Sequence, residues 1–173
     1  SNFLKTGTAC RWMGEASVAL FTGHIINKLD SKGRISVPAS FRSALKGQSF
    51  NGIAAYPSPD GAKAIECAGI ELLTKLSERF SNANPFSPEF RNAKLALFSN
   101  IDQLPFDREG RILLPERLVE LAGLHTQASF VGLGDTFQIW KPEAFASAKK
   151  LAMKQAYKEL AKLELPPNSR SGE

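Results

Sequence analysis

Apolar and polar positions alternate along residues 24–56 in short runs broken by turn residues, and the same order of elements returns at an offset of 77 residues. His24-Ile25-Ile26-Asn27-Lys28-Leu29 has the β-branched content and partial alternation of a strand. Asp30-Ser31-Lys32-Gly33 then places Asp first and Gly fourth, which predicts a type I turn whose glycine takes the left-handed conformation of a bulge. Arg34-Ile35-Ser36-Val37 resumes the strand, with Ile35 and Val37 on one face and Arg34 and Ser36 on the other. Pro38 ends that strand and opens a short helix over Ala39–Leu45, closed near Gly47. In the second copy Asp107-Arg108-Glu109-Gly110 turns, Ile112 and Leu114 share a face, and Pro115 opens a helix over Glu116–Ala122 capped by Gly123.

Each copy continues into two apolar strands and a helix. The first has Ser49–Tyr56, Ala64–Cys67 and a helix over Ile70–Phe80; the second has Ala128–Leu133, Phe137–Trp140 and a helix over Glu143–Leu163, ended by Pro166-Pro167. Gly134-Asp135 is a strong hairpin turn and Pro57–Gly61 a looser one. Between the copies, Ser81–Pro85 reads as a linker, and Ser87-Pro88 as an N-cap with Pro at the first position of a helix reaching Phe98. Neither half has enough strands to bury its own apolar face. The expectation is an α+β fold in which two tandem repeats, 22–80 and 104–150, interlock in one β-barrel-like core with peripheral helices. Residues 1–21 are set apart as a flexible extension, 81–103 as linker and helix, and 151–173 as terminal helix and tail.

Charge narrows the choice of partner. The chain carries +5 overall, which favours an anionic ligand. Residues 23–50 hold Lys28, Lys32, Arg34, Arg42 and Lys46 against Asp30 alone, whereas 106–125 hold Arg108, Arg111 and Arg117 against Asp107, Glu109, Glu116 and Glu120. The first turn is therefore expected to be the stronger contact with nucleic acid. Cys10 and Cys67 form no CxxC and His24 and His125 no HxxxH, so neither a zinc site nor a disulfide framework is indicated. No cofactor or small-molecule site is legible. No apolar run approaches membrane-spanning length, and the absence of an export signal makes the cytoplasm the expected compartment.

Arg34 and Arg111 are the foremost candidates. A two-stranded ribbon fits the major groove of B-DNA, and Arg can donate two bonds to guanine O6 and N7, worth roughly 1–3 kcal/mol of discrimination. The competing reading has each Arg merely bracing its turn by pairing with the Asp four residues earlier. Lys28 and Lys32, with Arg108 in the second turn, are candidates for phosphate contact. Asp30 and Asp107 could in principle share a proton as a hydrolytic pair, but such sites need Asp followed by a small hydroxyl residue and Gly, so turn formation with Gly33 and Gly110 is the stronger reading. Gly132-x-Gly134-Asp135 is a hairpin turn, too short for a phosphate loop. No catalytic residues are assembled by any motif, so an enzyme is not expected.

The paired Asp-x-x-x-Arg motifs (Asp30/Arg34, Asp107/Arg111), the run Leu29–Pro38, Asn84-Pro85, Ala122-Gly123-Leu124, Val131-Gly132 and Phe137-Gln138-Ile139-Trp140 together resemble the MraZ family of bacterial regulators. That likeness runs from about Phe21 to Lys150. It implies two AbrB-like (SpoVT-AbrB) swapped-hairpin repeats and a homo-oligomeric, closed ring. It also implies nucleoid association and binding to direct repeats in the promoter of the protein's own division and cell-wall operon. By the same likeness Arg34 and Arg111 take the DNA-contact role, although Glu109 stands in the second turn where a cation would help. The alternative is an oligomeric scaffold whose turns and 143–163 helix bind a protein partner.

Overall fold

The computed structural model describes residues 19–82 and 86–162 of the 173-residue chain. The expectations for residues 1–18, 83–85 and 163–173, among them Cys10, Asn84-Pro85 and Pro166-Pro167, lie outside the described residues. The first half contributes β1 (His24–Lys28), β2 (Arg34–Ser36), α1 (Ala39–Ala44), β3 (Gly52–Pro57), β4 (Ala64–Ala68) and α2 (Ile70–Asn82). After α3 (Pro88–Phe98) come β5 (Asp102–Pro105), β6 (Arg111–Leu113), α4 (Glu116–Ala122), β7 (Gln127–Gly132), β8 (Phe137–Trp140) and α5 (Pro142–Leu160). Boundaries fall close to those expected. One element lacked its own sequence signal, β5, whose Asp-Gln-Leu-Pro has a single buried residue, Leu104.

The strands form a six-stranded antiparallel sheet in the order β1-β7-β8-β4-β3-β5 and a separate ribbon of β2 with β6. This pairing is unchanged when the two halves are exchanged: β1–β7 corresponds to β5–β3, while β4–β8 and β2–β6 correspond to themselves. The first strand of each half is thus hydrogen-bonded to the other half, with His24 opposite Val131 and Gly52 opposite Pro105. The architecture is α+β, but the expected barrel is not closed. Among the described residues β1 and β5 remain edges of the large sheet, because each passes straight through its turn into the ribbon, which there pairs only with itself apart from a bridge between Leu29 and Ile35.

Alternation along the strands decides what each face buries. Ile53, Ala55, Ile65, Cys67, Phe130, Phe137 and Ile139 face a core roofed by the ribbon (Ile35, Ile112) and by α1 and α4 (Phe41, Leu45, Leu118, Ala122). Phe21, set outside the fold on sequence grounds, is fully buried there with its ring 4.9 Å from that of Phe137. Nothing in residues 1–20 flagged it, since an isolated aromatic carries no periodicity. The opposite face carries Ala54 and Tyr56 beneath α2 and α3. Buried Glu66 also lies there, accepting from Thr136 Oγ1 at 2.6 Å and Gln138 Nε2 at 2.7 Å. These bonds join β4 to β8 across the junction of the halves, so the buried carboxylate is satisfied where they meet.

Ser87 occupies the N-cap of α3 as expected, with Pro88 inside the first turn, but its hydroxyl bonds Glu89 Oε2 at 2.9 Å instead of capping the helix. Gly123 takes the left-handed C-cap at φ 62°.

Candidate nucleic-acid interface

Both turns are built by their aspartates. Asp30 Oδ1 accepts from the backbone N–H groups of Lys32 and Arg34, each at 2.9 Å, and Asp30 Oδ2 accepts from Arg34 Nε at 2.7 Å. Asp107 repeats this with the N–H groups of Glu109 and Arg111, each at 2.9 Å, and with Arg111 Nε at 2.8 Å. Gly33 and Gly110 sit at φ 82° and 75°, a conformation that costs any other L residue about 1–2 kcal/mol. The bracing role weighed for each Arg is therefore real. It uses Nε alone, and among the described residues no protein group bonds the terminal nitrogens of Arg34. Arg111 differs, because its Nη2 also meets Glu109 Oε2 at 2.9 Å.

The ribbon register sets the two arginines on one face, at diagonally opposite ends of the ribbon. Arg34 lies opposite Leu113 and Arg111 opposite Ser36, so these four residues share the outward face while Ile35 and Ile112, each 1% exposed, point into the core. Antiparallel pairing puts the turns at opposite ends of the ribbon, tied by Leu114 N–H to Gly33 O at 2.9 Å and Val37 N–H to Gly110 O at 3.1 Å. They are near enough for the Asp30 charge to act on Arg111. Side-chain exposures of 40% for Arg34 and 31% for Arg111 leave both half-open to a ligand. Lys28 at the end of β1, Lys32 in the first turn and Arg108 in the second are all exposed.

The backbone N–H of Arg34, followed by its side chain, holds the Asp30 carboxyl below its usual range, and Arg111 does the same for Asp107. Each carboxylate is thus committed to its own turn, which weighs against a shared proton. Because the folded-state pKa values are depressed, this bracing is fully present above the ordinary Asp value of about 4 and is lost as pH falls through the lower folded values. Carboxyl-detected NMR titration should give midpoints for Asp30 and Asp107 below those of an unfolded peptide, with the Arg34 Nε–H resonance following Asp30. Ordinary midpoints would remove the brace from the account.

A cleft of about 750 Å³, which no sequence motif indicated, opens between the first turn and α4, lined by Lys32, Leu104, Leu114, Glu116, Val119 and His125. A smaller one of about 320 Å³ lies between the second turn and α1. Among the described residues, no group of His, Cys, Asp and Glu could hold a metal ion, and no helix is long and apolar enough to cross a membrane.

A family model described as MraZ protein matches residues 97–160, from the end of α3 through the second repeat to the end of α5. The chain is 40% identical over 140 residues to a protein of Rickettsia canadensis (strain McKiel), covering 81% of this chain and 93% of the relative. It is 44% identical over 132 residues to one of Rickettsia bellii (strain OSU 85-389), covering 74% and 87% respectively. Both relatives are named transcriptional regulator MraZ. With identity of this extent across both halves, the chain belongs to the MraZ family of transcriptional regulators.

Proposed function

We propose that the protein regulates transcription by binding duplex DNA sequence-specifically, at short direct repeats in the promoter of its own division and cell-wall operon. On this reading it acts in the cytoplasm on the nucleoid as a closed ring of identical subunits built from swapped-hairpin repeats. The observation that carries the reading is a two-stranded ribbon presenting Arg34 and Arg111 on one exposed face, with the terminal nitrogens of Arg34 bonded to no protein group among the described residues. A guanidinium held at Nε by a carboxylate is pre-aimed, and its outer edge can still meet guanine O6 and N7. One subunit neutralises few phosphates and binds weakly alone, so a ring offering Arg34 at regular intervals gains through effective concentration. The exposed edge strand β1, with Ile25 39% and Ile26 48% accessible, supports self-association because an unpaired apolar edge invites covering.

The scaffold alternative draws on α5, which exposes Leu151, Met153, Tyr157 and Leu160. A gel shift on the duplex upstream of the coding sequence, at about 50 and 200 mM salt, separates the two. DNA recognition by two or more phosphate contacts weakens about tenfold or more over that range. Size-exclusion chromatography run alongside reports the ring. Wild-type protein that ignores this duplex while holding a protein partner would favour the scaffold.

A further inference from the structure

Cations of the first half lie against the turn of the second. α1 packs beside Asp107–Gly110, and Arg42 and Lys46 line the 320 Å³ cleft together with Asp107, Arg108 and Gly110. The Arg42 guanidinium rests on Gly110 so closely that a Cβ built there would stand 2.5 Å from Arg42 Cζ. Its Nε donates to Val37 O at 3.1 Å, which fixes the direction of the group. Among the described residues, no protein group bonds its terminal nitrogens. The repeat-related position beside the first turn is Val119, and the cleft there carries Glu116 in place of a second cation.

The turns are therefore unlike. The first has Lys32 in its loop, an Arg34 with one carboxylate partner among the described residues, and a neighbour helix that lines its cleft with Glu116 and Val119. The second has Arg111 offset by both Asp107 and Glu109, and gains positive charge from Arg42 of α1 and from Lys46 just after that helix, both in the other half. We propose that Arg42 and Lys46, with Arg108, form a phosphate-binding strip for the DNA backbone beside the second turn, while the first turn reads base edges. This deepens the DNA-binding reading above and rests on it. The strip lies beside the ribbon's outward face rather than on it, where groups reach backbone oxygens and not groove floors. A flat guanidinium fixed by its Nε and a mobile ammonium next to it suit two successive phosphodiesters.

The test titrates full-length wild type, Lys46→Ala and Arg42→Met against the upstream duplex and a scrambled duplex of equal length, over a range of salt. Each lost phosphate contact should flatten the slope of log affinity against log salt by about 0.9 and weaken binding about fivefold near 0.15 M. Both duplexes should be affected alike and the footprint should stay in place. Lys150→Ala on α5, an equal change of charge, should leave the slope as it was. Lys46 is exposed, so its variant keeps the fold and decides the matter even if Arg42→Met melts early. A wild-type slope for Lys46→Ala on both duplexes overturns the strip, and weakening confined to the upstream duplex assigns base reading instead and overturns it too. Wild-type protein that shows no salt-dependent binding overturns the DNA reading itself, and this inference with it.

Discussion

Arg34→Ala protein should lose specific binding to its promoter repeats while keeping its oligomeric size and melting temperature. Truncation removes a guanidinium whose outer nitrogens bond no protein group among the described residues, and it leaves Asp30 still accepting two backbone N–H bonds in the turn. The ion pair given up is solvent-screened on both sides and adds little to stability. The lost guanine contact is worth roughly 1–3 kcal/mol per subunit, and with two boxes engaged at once the deficit is about 2–6 kcal/mol. Arg111→Ala, starting from a group already held by two carboxylates, should cost less. Fluorescence anisotropy with repeat-bearing and scrambled duplexes measures both. An Arg34→Ala protein that still prefers the repeats at wild-type affinity would take the assignment away from this residue.

Phe41→Ala should have the largest effect on stability. Its ring is 1% exposed and lies 5.4 Å from Phe21, 5.0 Å from Phe137 and 6.4 Å from Phe130, joining α1 to the sheet and to the N-terminal segment. Losing a buried Phe costs about 3–5 kcal/mol, a large share of the 5–15 kcal/mol typical of a folded domain. For a domain of this size the melting temperature should fall by roughly 6–20 °C. Urea denaturation of the two proteins checks this. A loss under about 1 kcal/mol would mean that the aromatic cluster does not hold the roof on the sheet.

The turns, the ribbon strands and the short helices were legible because their causes are local. Asp at the first position, Gly at the fourth and Pro after the strand each act within four residues. Strand order was not legible, since His24 meets Val131 through bonds that no window of sequence contains. The open sheet follows from the same blindness, because alternation announces a buried face without saying which edges join. Charge shows the limit most clearly. Along the chain the cations crowd around the first turn, whereas folding carries Arg42 and Lys46 across to the second. The two arginines were found as a pair. That Glu109 stands in the second turn where the first has Lys32, and so sets Arg111 apart from Arg34, was legible; the contact of Glu109 Oε2 with Arg111 Nη2 depends on a rotamer and was not.

The reciprocal pairing of first strands also governs how the protein is made. β1 leaves the ribosome about 100 residues ahead of β7, which at 5–20 residues per second is a wait of roughly 5–20 s with its backbone N–H and C=O groups without their strand partner. Neither half can finish its own sheet in that interval, so folding is essentially post-translational and its contacts are distant in the chain. Slow appearance of native protein is the expected cost of a core that needs both ends before it can form.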